Sequence, residues 1–153
     1  MYTILDFKAV TKHSYYGCDD PEGVFCEVAG RRFAGWKAAA NSWLDRYIVP
    51  ALENSGRRNL LVAHDMGRDF RKAIFPEYKA NRDKREVSPI EKENLDQMYA
   101  WSKKFLSALG ATQIGVKGVE ADDVIAWLCQ GIIGPKAVSV SYTHLTLPTN
   151  REV

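Results

Sequence analysis

One hundred and fifty-three residues, 46% of them hydrophobic and 26% charged, are enough to bury the core of one ordinary α/β domain. A formal net charge of +2 does not by itself announce a nucleic-acid partner, so any such reading must rest on where the charges sit. Three cysteines at unpaired spacings, no charged leader before an apolar core, and no apolar run near the ~20 residues of a membrane span argue against a disulfide scaffold and a bilayer-crossing chain, and place the protein in the cytoplasm.

Residues 2–7 (YTILDF) are short, β-branched and aromatic, the composition of a strand buried on both faces, with Asp6 at its carboxyl end. Asp6 is either a cap on the following turn or a functional carboxylate, and this stretch alone leaves both open. Residues 15–35 are rich in turn formers, with DDPEG at 19–23, and read as a loop with a hairpin pairing 24–28 and 31–33. Over 36–53, Ala40, Trp43, Leu44, Tyr47, Ile48 and Leu52 recur at helical spacing, with Pro50 bending or ending the helix and the aromatics assigned to the core. A second buried strand over 59–63 (NLLVA) is followed by Asp65, as the first is followed by Asp6. Open parallel sheets bind ligands at the carboxyl ends of their strands, so two aspartates placed this way say more than one.

Residues 66–87 are polar, basic and without either periodicity, an excursion from the sheet. Ser88 as cap, Pro89 in the first turn and Glu91 completing a capping box then start a helix. Its apolar face is Leu95, Met98, Trp101, Phe105 and Leu109, and Gly110 stops it. A strand over 112–116, a helix over 119–130 and a strand over 137–140 follow. The order strand, helix, strand, excursion, helix, strand, helix, strand predicts an α/β fold, a parallel sheet flanked by helices.

The chemistry concentrates at 118–123 (GVEADD), where Glu120, Asp122 and Asp123 fall within four positions. Carboxylates this close raise each other's pKa and repel, so a folded protein keeps them ionised only beside a cation or a ring of donors. On a helix starting near Val119, Glu120 and Asp123 share a face. A plain alternative is an acidic first turn favoured by the helix dipole, by roughly 0.3–1 kcal/mol. That alternative does not explain aspartates at the ends of two strands. In the predicted fold Asp6, Asp65, Glu120, Asp122 and Asp123 converge at one sheet edge, an oxygen-only set that suits Mg²⁺ or Mn²⁺ rather than Zn²⁺ and serves phosphate chemistry. His64, beside Asp65, reads as structural or incidental.

The excursion is the complementary half. Between Arg57 and Arg85 nine basic residues stand against four acidic ones. Phe70, Arg71, Tyr78, Lys79 and Arg82 place aromatic faces and cations in one short segment, the combination that single-stranded nucleic-acid sites use. A solvated charged loop is the competing reading of this segment taken alone.

Phe70, Arg71 and the run 75–85 (FPEYKANRDKR), followed by GVEADD, resemble the 5' nucleases, the phage and bacterial 5'-3' exonuclease and flap endonuclease family, with the phage T5 type nearest. The resemblance is strong over 59–134 and general in plan over 1–53. It implies a PIN-like domain whose excursion arches over the metals and admits a free 5' single strand. Asp6, Asp65, Glu120, Asp122 and Asp123 then match metal carboxylates, with Asp65 also in the catalytic set. Lys79 and Arg82 match catalytic cations at the scissile phosphate, and Tyr78 matches an aromatic contact near the cut; Arg71, Lys84 and Arg85 join Tyr78, Lys79 and Arg82 in the nucleic-acid set. The partners implied are DNA with a 5' end or flap and a DNA polymerase, in a bacterial or phage-infected cell, with the nuclease a monomer.

The family pattern continues with a second acidic cluster and a helix-hairpin-helix region. Here 140–149 (VSYTHLTLPT) instead resembles an in-frame translation of a transposon-end sequencing adapter. The expectation is a truncated nuclease domain over 1–138, a non-native tail over 139–153, and weak or no activity in this polypeptide. Two rival functions are a PIN-type single-strand ribonuclease and a non-catalytic nucleic-acid-binding protein.

Overall fold

A computed structural model describes residues 1–17, 25–78, 87–133 and 138–141, with 25–28, 32, 132–133 and 138–141 described by their backbone only. In chain order the elements are β1 (Tyr2–Asp6), α1 (Phe7–Tyr16), β2 (Phe25–Val28), β3 (Arg31–Ala34), α2 (Trp36–Trp43), α3 (Val49–Ser55) and β4 (Leu60–His64). They continue with α4 (Asp69–Ile74), α5 (Pro89–Leu109), β5 (Thr112–Gly115), α6 (Ala121–Trp127) and β6 (Val138–Ser141).

Four strands pair in parallel in the order β5-β4-β1-β6, with Leu5 opposite Val62, Ala63 opposite Ile114 and Tyr2 opposite Val138. The chain steps outward from β1 to β4 and β5, then returns across the sheet to β6. The crevice above the carboxyl end of β1 is therefore the switch point where open parallel sheets take their ligands. The predicted α/β, PIN-like architecture is the one observed. β2 and β3 form the separate antiparallel hairpin read from the sequence.

Alternation along the strands divides the core between two faces. Leu5, Leu60 and Val62 pack with Phe7, Val10, Trp43, Ile48, Ala51, Met98 and Leu106, beneath α1, α2, α3 and α5. Ile4, Leu61 and Ala63 pack with Ala121, Val124, Ile125 and Leu128 on the other face, beneath α6. Both central strands are buried on each side, which is why they read as unbroken apolar runs.

Several details differ from the sequence reading. Residues 7–16 form α1, a helix the sequence reading omits. Its buried face includes Thr11 and Ser14, whose hydroxyls donate to the carbonyls of Phe7 (2.6 Å) and Val10 (2.9 Å), so a helical stripe is written partly in polar residues. The helix over 36–53 is an unbroken helical run in which a π-helical turn, Leu44–Ile48, separates α2 from α3, with Pro50 just after it in the first turn of α3. α6 begins at Ala121 rather than Val119 and passes into a second π-helical turn, Leu128–Ile133. The excursion contains a short helix, α4. Ser88 caps α5 by accepting from the Glu91 N–H at 3.2 Å, and Gly110 ends it at φ 81°. The turn at 19–23 and the tail from 142 lie outside the described residues. Among the described residues, no helix is long and apolar enough to cross a membrane.

Candidate metal centre

Asp6 closes β1 and opens α1. Its Oδ1 accepts the Ala9 N–H at 2.8 Å, so the capping role is real. The same carboxyl is only 7% exposed, and burial pushes its pKa from the ordinary 3.8 to about 6. The Ala9 and Lys8 N–H groups pull it down, whereas the charges of Asp65 and Asp122 push it further up. Capping and membership of an acidic cluster are thus compatible: Asp6 shares its field with carboxylates from β4 and α6.

Asp65 and the first turn of α6 are locked together by the two loops that carry them. Met66 N–H donates to Val119 at 3.0 Å, Gly118 N–H to Met66 at 2.9 Å, and Phe70 N–H to Gly118 at 3.1 Å. This pairing requires close backbone approach, and a Cβ at Gly67 would lie 3.1 Å from the Gly118 Cα. Asp65 Oδ1 then accepts the Ala121 N–H at 2.8 Å, holding one carboxylate oxygen at the start of α6. Glu120 occupies the cap position in extended conformation, with Asp122 and Asp123 in the turn after it.

Cations of the chain surround these acids. Glu120 is 6% exposed and lies 3.5 Å from Arg68 Nε and 3.2 Å from Arg71 Nη1, and the Tyr78 hydroxyl donates to it at 3.0 Å. Asp123 receives Arg71 through Nη2 at 2.7 Å and Nε at 3.0 and 3.2 Å. Lys8 Nζ lies 3.8 Å from Asp65 Oδ2. Held this way, no three His, Cys, Asp or Glu side chains among the described residues stand close enough to share one ion. The donor chemistry nevertheless fits a hard divalent cation. All five candidate ligands are carboxylates, and although burial is the main cause of the raised Asp6 pKa, the charges of Asp65 and Asp122 add to it, a repulsion that such an ion would offset.

Arg71 and Tyr78, both expected in the nucleic-acid set, reach the acids. Lys79, Arg82, Lys84 and Arg85 lie outside the described residues. His64 is structural: buried at the end of β4, it contacts Gln113 at 2.9 Å through Nε2 and packs on Phe7 with ring centroids 4.5 Å apart. Three neighbours were not singled out from the sequence. Lys8 carried a signal, standing two positions past the end of β1. Arg68 was hidden in a basic run. Tyr99 sits beside Met98 on α5, and its buried hydroxyl makes no hydrogen bond among the described residues; burial first, then Tyr16 and the charges of Asp65, Asp96 and Asp6, raise its pKa.

The family described as 5'-3' exonuclease, N-terminal resolvase-like domain, matches residues 1–142. A 5'-3' exonuclease of Bacillus subtilis (strain 168) is 32% identical over 84 residues, 54% of this chain and 26% of its own length. A solved structure of T5 5'-exonuclease with bound divalent zinc ions is similar at a TM-score of 0.52 and 23% identity, over 84% of this chain and 43% of that one. The chain therefore spans about a quarter and less than half of the two relatives it matches.

Proposed function

Because the chain belongs to the 5'-3' exonuclease family through its amino-terminal resolvase-like domain, we propose that it builds the acidic wall of a divalent-metal, structure-specific 5' nuclease acting on DNA ends or flaps. The observation that supports the reading is that Asp65, after β4, accepts the Ala121 N–H at the start of α6, and that the charges of Asp65 and Asp122 add to burial in raising the pKa of Asp6, at the end of β1, to about 6. Together Asp6, Asp65, Glu120, Asp122 and Asp123 are the residues that would hold Mg²⁺ or Mn²⁺. Such an ion supplies Lewis-acid polarisation of a phosphoryl oxygen and activation of water.

The chain's own residues do the rest. The Ala121 N–H fixes Asp65, and the paired loops fix Glu120 relative to it, so the oxygens are set before substrate arrives. Arg71 and Tyr78 offer a guanidinium and a ring beside the acids, suited to a phosphate and the base next to it. By the family resemblance Lys79 and Arg82, next in the sequence, are assigned to the scissile phosphate, and Lys84 and Arg85 to the nucleic-acid set, as cations that neutralise backbone phosphates.

The test offers 5'-labelled flap DNA, single-stranded DNA and single-stranded RNA with Mg²⁺ to the purified chain and to a version continued along the source reading frame past residue 139. Short 5' products from the flap are expected of the continued chain, lost in Asp65→Ala and Asp123→Ala, with weak or no cleavage by the 153 residues alone. Cleavage of RNA without need of a 5' end would point instead to a single-strand ribonuclease. Salt-sensitive DNA binding with no cleavage by either version would leave a binding protein only.

A further inference from the structure

One guanidinium does three things in this site. From α4, Arg71 forks onto both oxygens of Asp123, with Nη2 at 2.7 Å and Nε at 3.0 and 3.2 Å. Its remaining nitrogen, Nη1, lies 3.2 Å from Glu120 Oε2 and also donates to the Tyr78 hydroxyl. That hydroxyl donates to the same Glu120 oxygen at 3.0 Å, and the guanidinium carbon lies 5.1 Å from the centre of the Tyr78 ring. Arg71, Tyr78 and Glu120 therefore form a closed triangle of contacts, to which Asp123 is joined through Arg71. Asp123 holds the Arg71 pKa above its usual value, as expected of a charge-assisted fork.

The cluster ties two parts of the chain that are also joined by the loop backbone and by Arg68, whose Nε lies 3.5 Å from Glu120 Oε1. Arg71 lies in a helix of six residues with no buried side chain, and Tyr78 stands four residues beyond its end, immediately before the basic run. Phe70, Ile74 and Phe75 are all exposed. With so little apolar burial, the hold of α4 and Tyr78 on the body rests largely on polar contacts: the Arg71 fork, the Tyr78 hydroxyl, the Arg68–Glu120 ion pair and the Phe70–Gly118 hydrogen bond.

A divalent cation on Glu120 and Asp123 would meet those same oxygens and a guanidinium already in contact with them. Two cations a few ångströms apart repel, and a carboxylate gripped by a fork has fewer free lone-pair directions. We propose that Arg71 is an internal counter-cation that competes with divalent metal for Glu120 and Asp123, so that metal loading releases α4 and Tyr78 from α6 and turns Arg71 toward the substrate phosphate. Metal binding and presentation of the basic segment then become one event. The inference rests on the metal-nuclease reading above and adds to it an order of events.

The experiment needs no substrate. Mn²⁺ is titrated calorimetrically into the wild-type chain, Arg71→Gln and Arg71→Lys, and hydrogen exchange is followed over 66–78 with and without Mn²⁺. Arg71→Gln is expected to bind Mn²⁺ roughly 5- to 10-fold more tightly than wild type, with Arg71→Lys between them because it keeps the charge and loses the fork. In the wild type, Mn²⁺ should speed exchange over 69–78; in Arg71→Gln that segment should exchange fast from the start. Equal or weaker affinity in folded Arg71→Gln, or exchange unmoved by metal in the wild type, overturns the competition while leaving the nuclease reading standing. If Arg71→Gln does not fold, the affinity of Arg71→Lys and the exchange of the wild type decide the matter by the same criteria. Failure of all three proteins to bind Mn²⁺ overturns both readings.

Discussion

Asp6 accepts the Ala9 N–H and at the same time buries a carboxyl beside Asp65 and Asp122. Its folded pKa of about 6 lies above the ordinary 3.8, so the folded state holds the proton more tightly than the unfolded chain does. Stability contributed by the protonated form is complete below pH 4 and is lost as pH rises toward 6. Asp6→Asn keeps an oxygen for the cap and removes the charge. In EDTA, urea unfolding should find Asp6→Asn and wild type alike near pH 4, and the variant more stable at pH 7.5 by on the order of 2–3 kcal/mol. Parallel pH profiles for the two proteins would contradict the buried-charge assignment. The sequence displayed Asp6 at a strand end but left its two roles as rivals, because neither a cap partner nor a neighbouring charge 59 or 116 residues away is visible locally. Arg71 was legible as a cation and not as the partner of Asp123, 52 residues on.

Among the elements, the loops after β4 and β5 decide how well the acids are set. Gly118 adopts φ 78°, and a Cβ there would lie 3.2 Å from the Asp69 side chain. Gly110, at φ 81°, has nothing within 4 Å. Gly110→Ala should cost about 1 kcal/mol from backbone strain alone, and Gly118→Ala more, about 2–3 kcal/mol, because it also parts the paired loops. Thermal unfolding measures both; equal losses would show that the contact between the loops is unimportant. Ser88→Ala at the start of α5 removes the acceptor of the Glu91 N–H and should cost about 1 kcal/mol by the same measurement, with no loss of metal affinity. The Ser88 half of that cap was legible, since Ser88 and Pro89 stand side by side, whereas the Glu91 carboxylate, expected to complete a capping box, accepts the hydroxyl of Tyr16, 75 residues away and invisible locally. α1 was not legible, because its buried Thr11 and Ser14 satisfy their hydroxyls on the helix itself and so erase the apolar period. The extra backbone turn before Pro50 has no letter pattern of its own.

At the scale of the molecule, the parallel sheet followed from two apolar strands each trailed by an aspartate and joined by long crossovers, and the order β5-β4-β1-β6 places both aspartates at the central pair. The acidic turn at 118–123 was readable as chemistry before any fold was known. The cations that answer it were not, because their pairing depends on a chain reversal that only tertiary structure supplies. The central claim, that one sheet edge gathers carboxylates to hold a divalent ion, is tested most directly by equilibrium Mn²⁺ binding to the purified chain at neutral pH, followed by loss of the free-ion paramagnetic resonance signal. The proposed metal site predicts saturable binding that weakens at least about tenfold in both Asp65→Asn and Asp122→Asn, one unit of 1.4 kcal/mol or more for each lost ligand charge. Absence of saturable binding, or affinity unchanged in folded Asp65→Asn and Asp122→Asn, would contradict it.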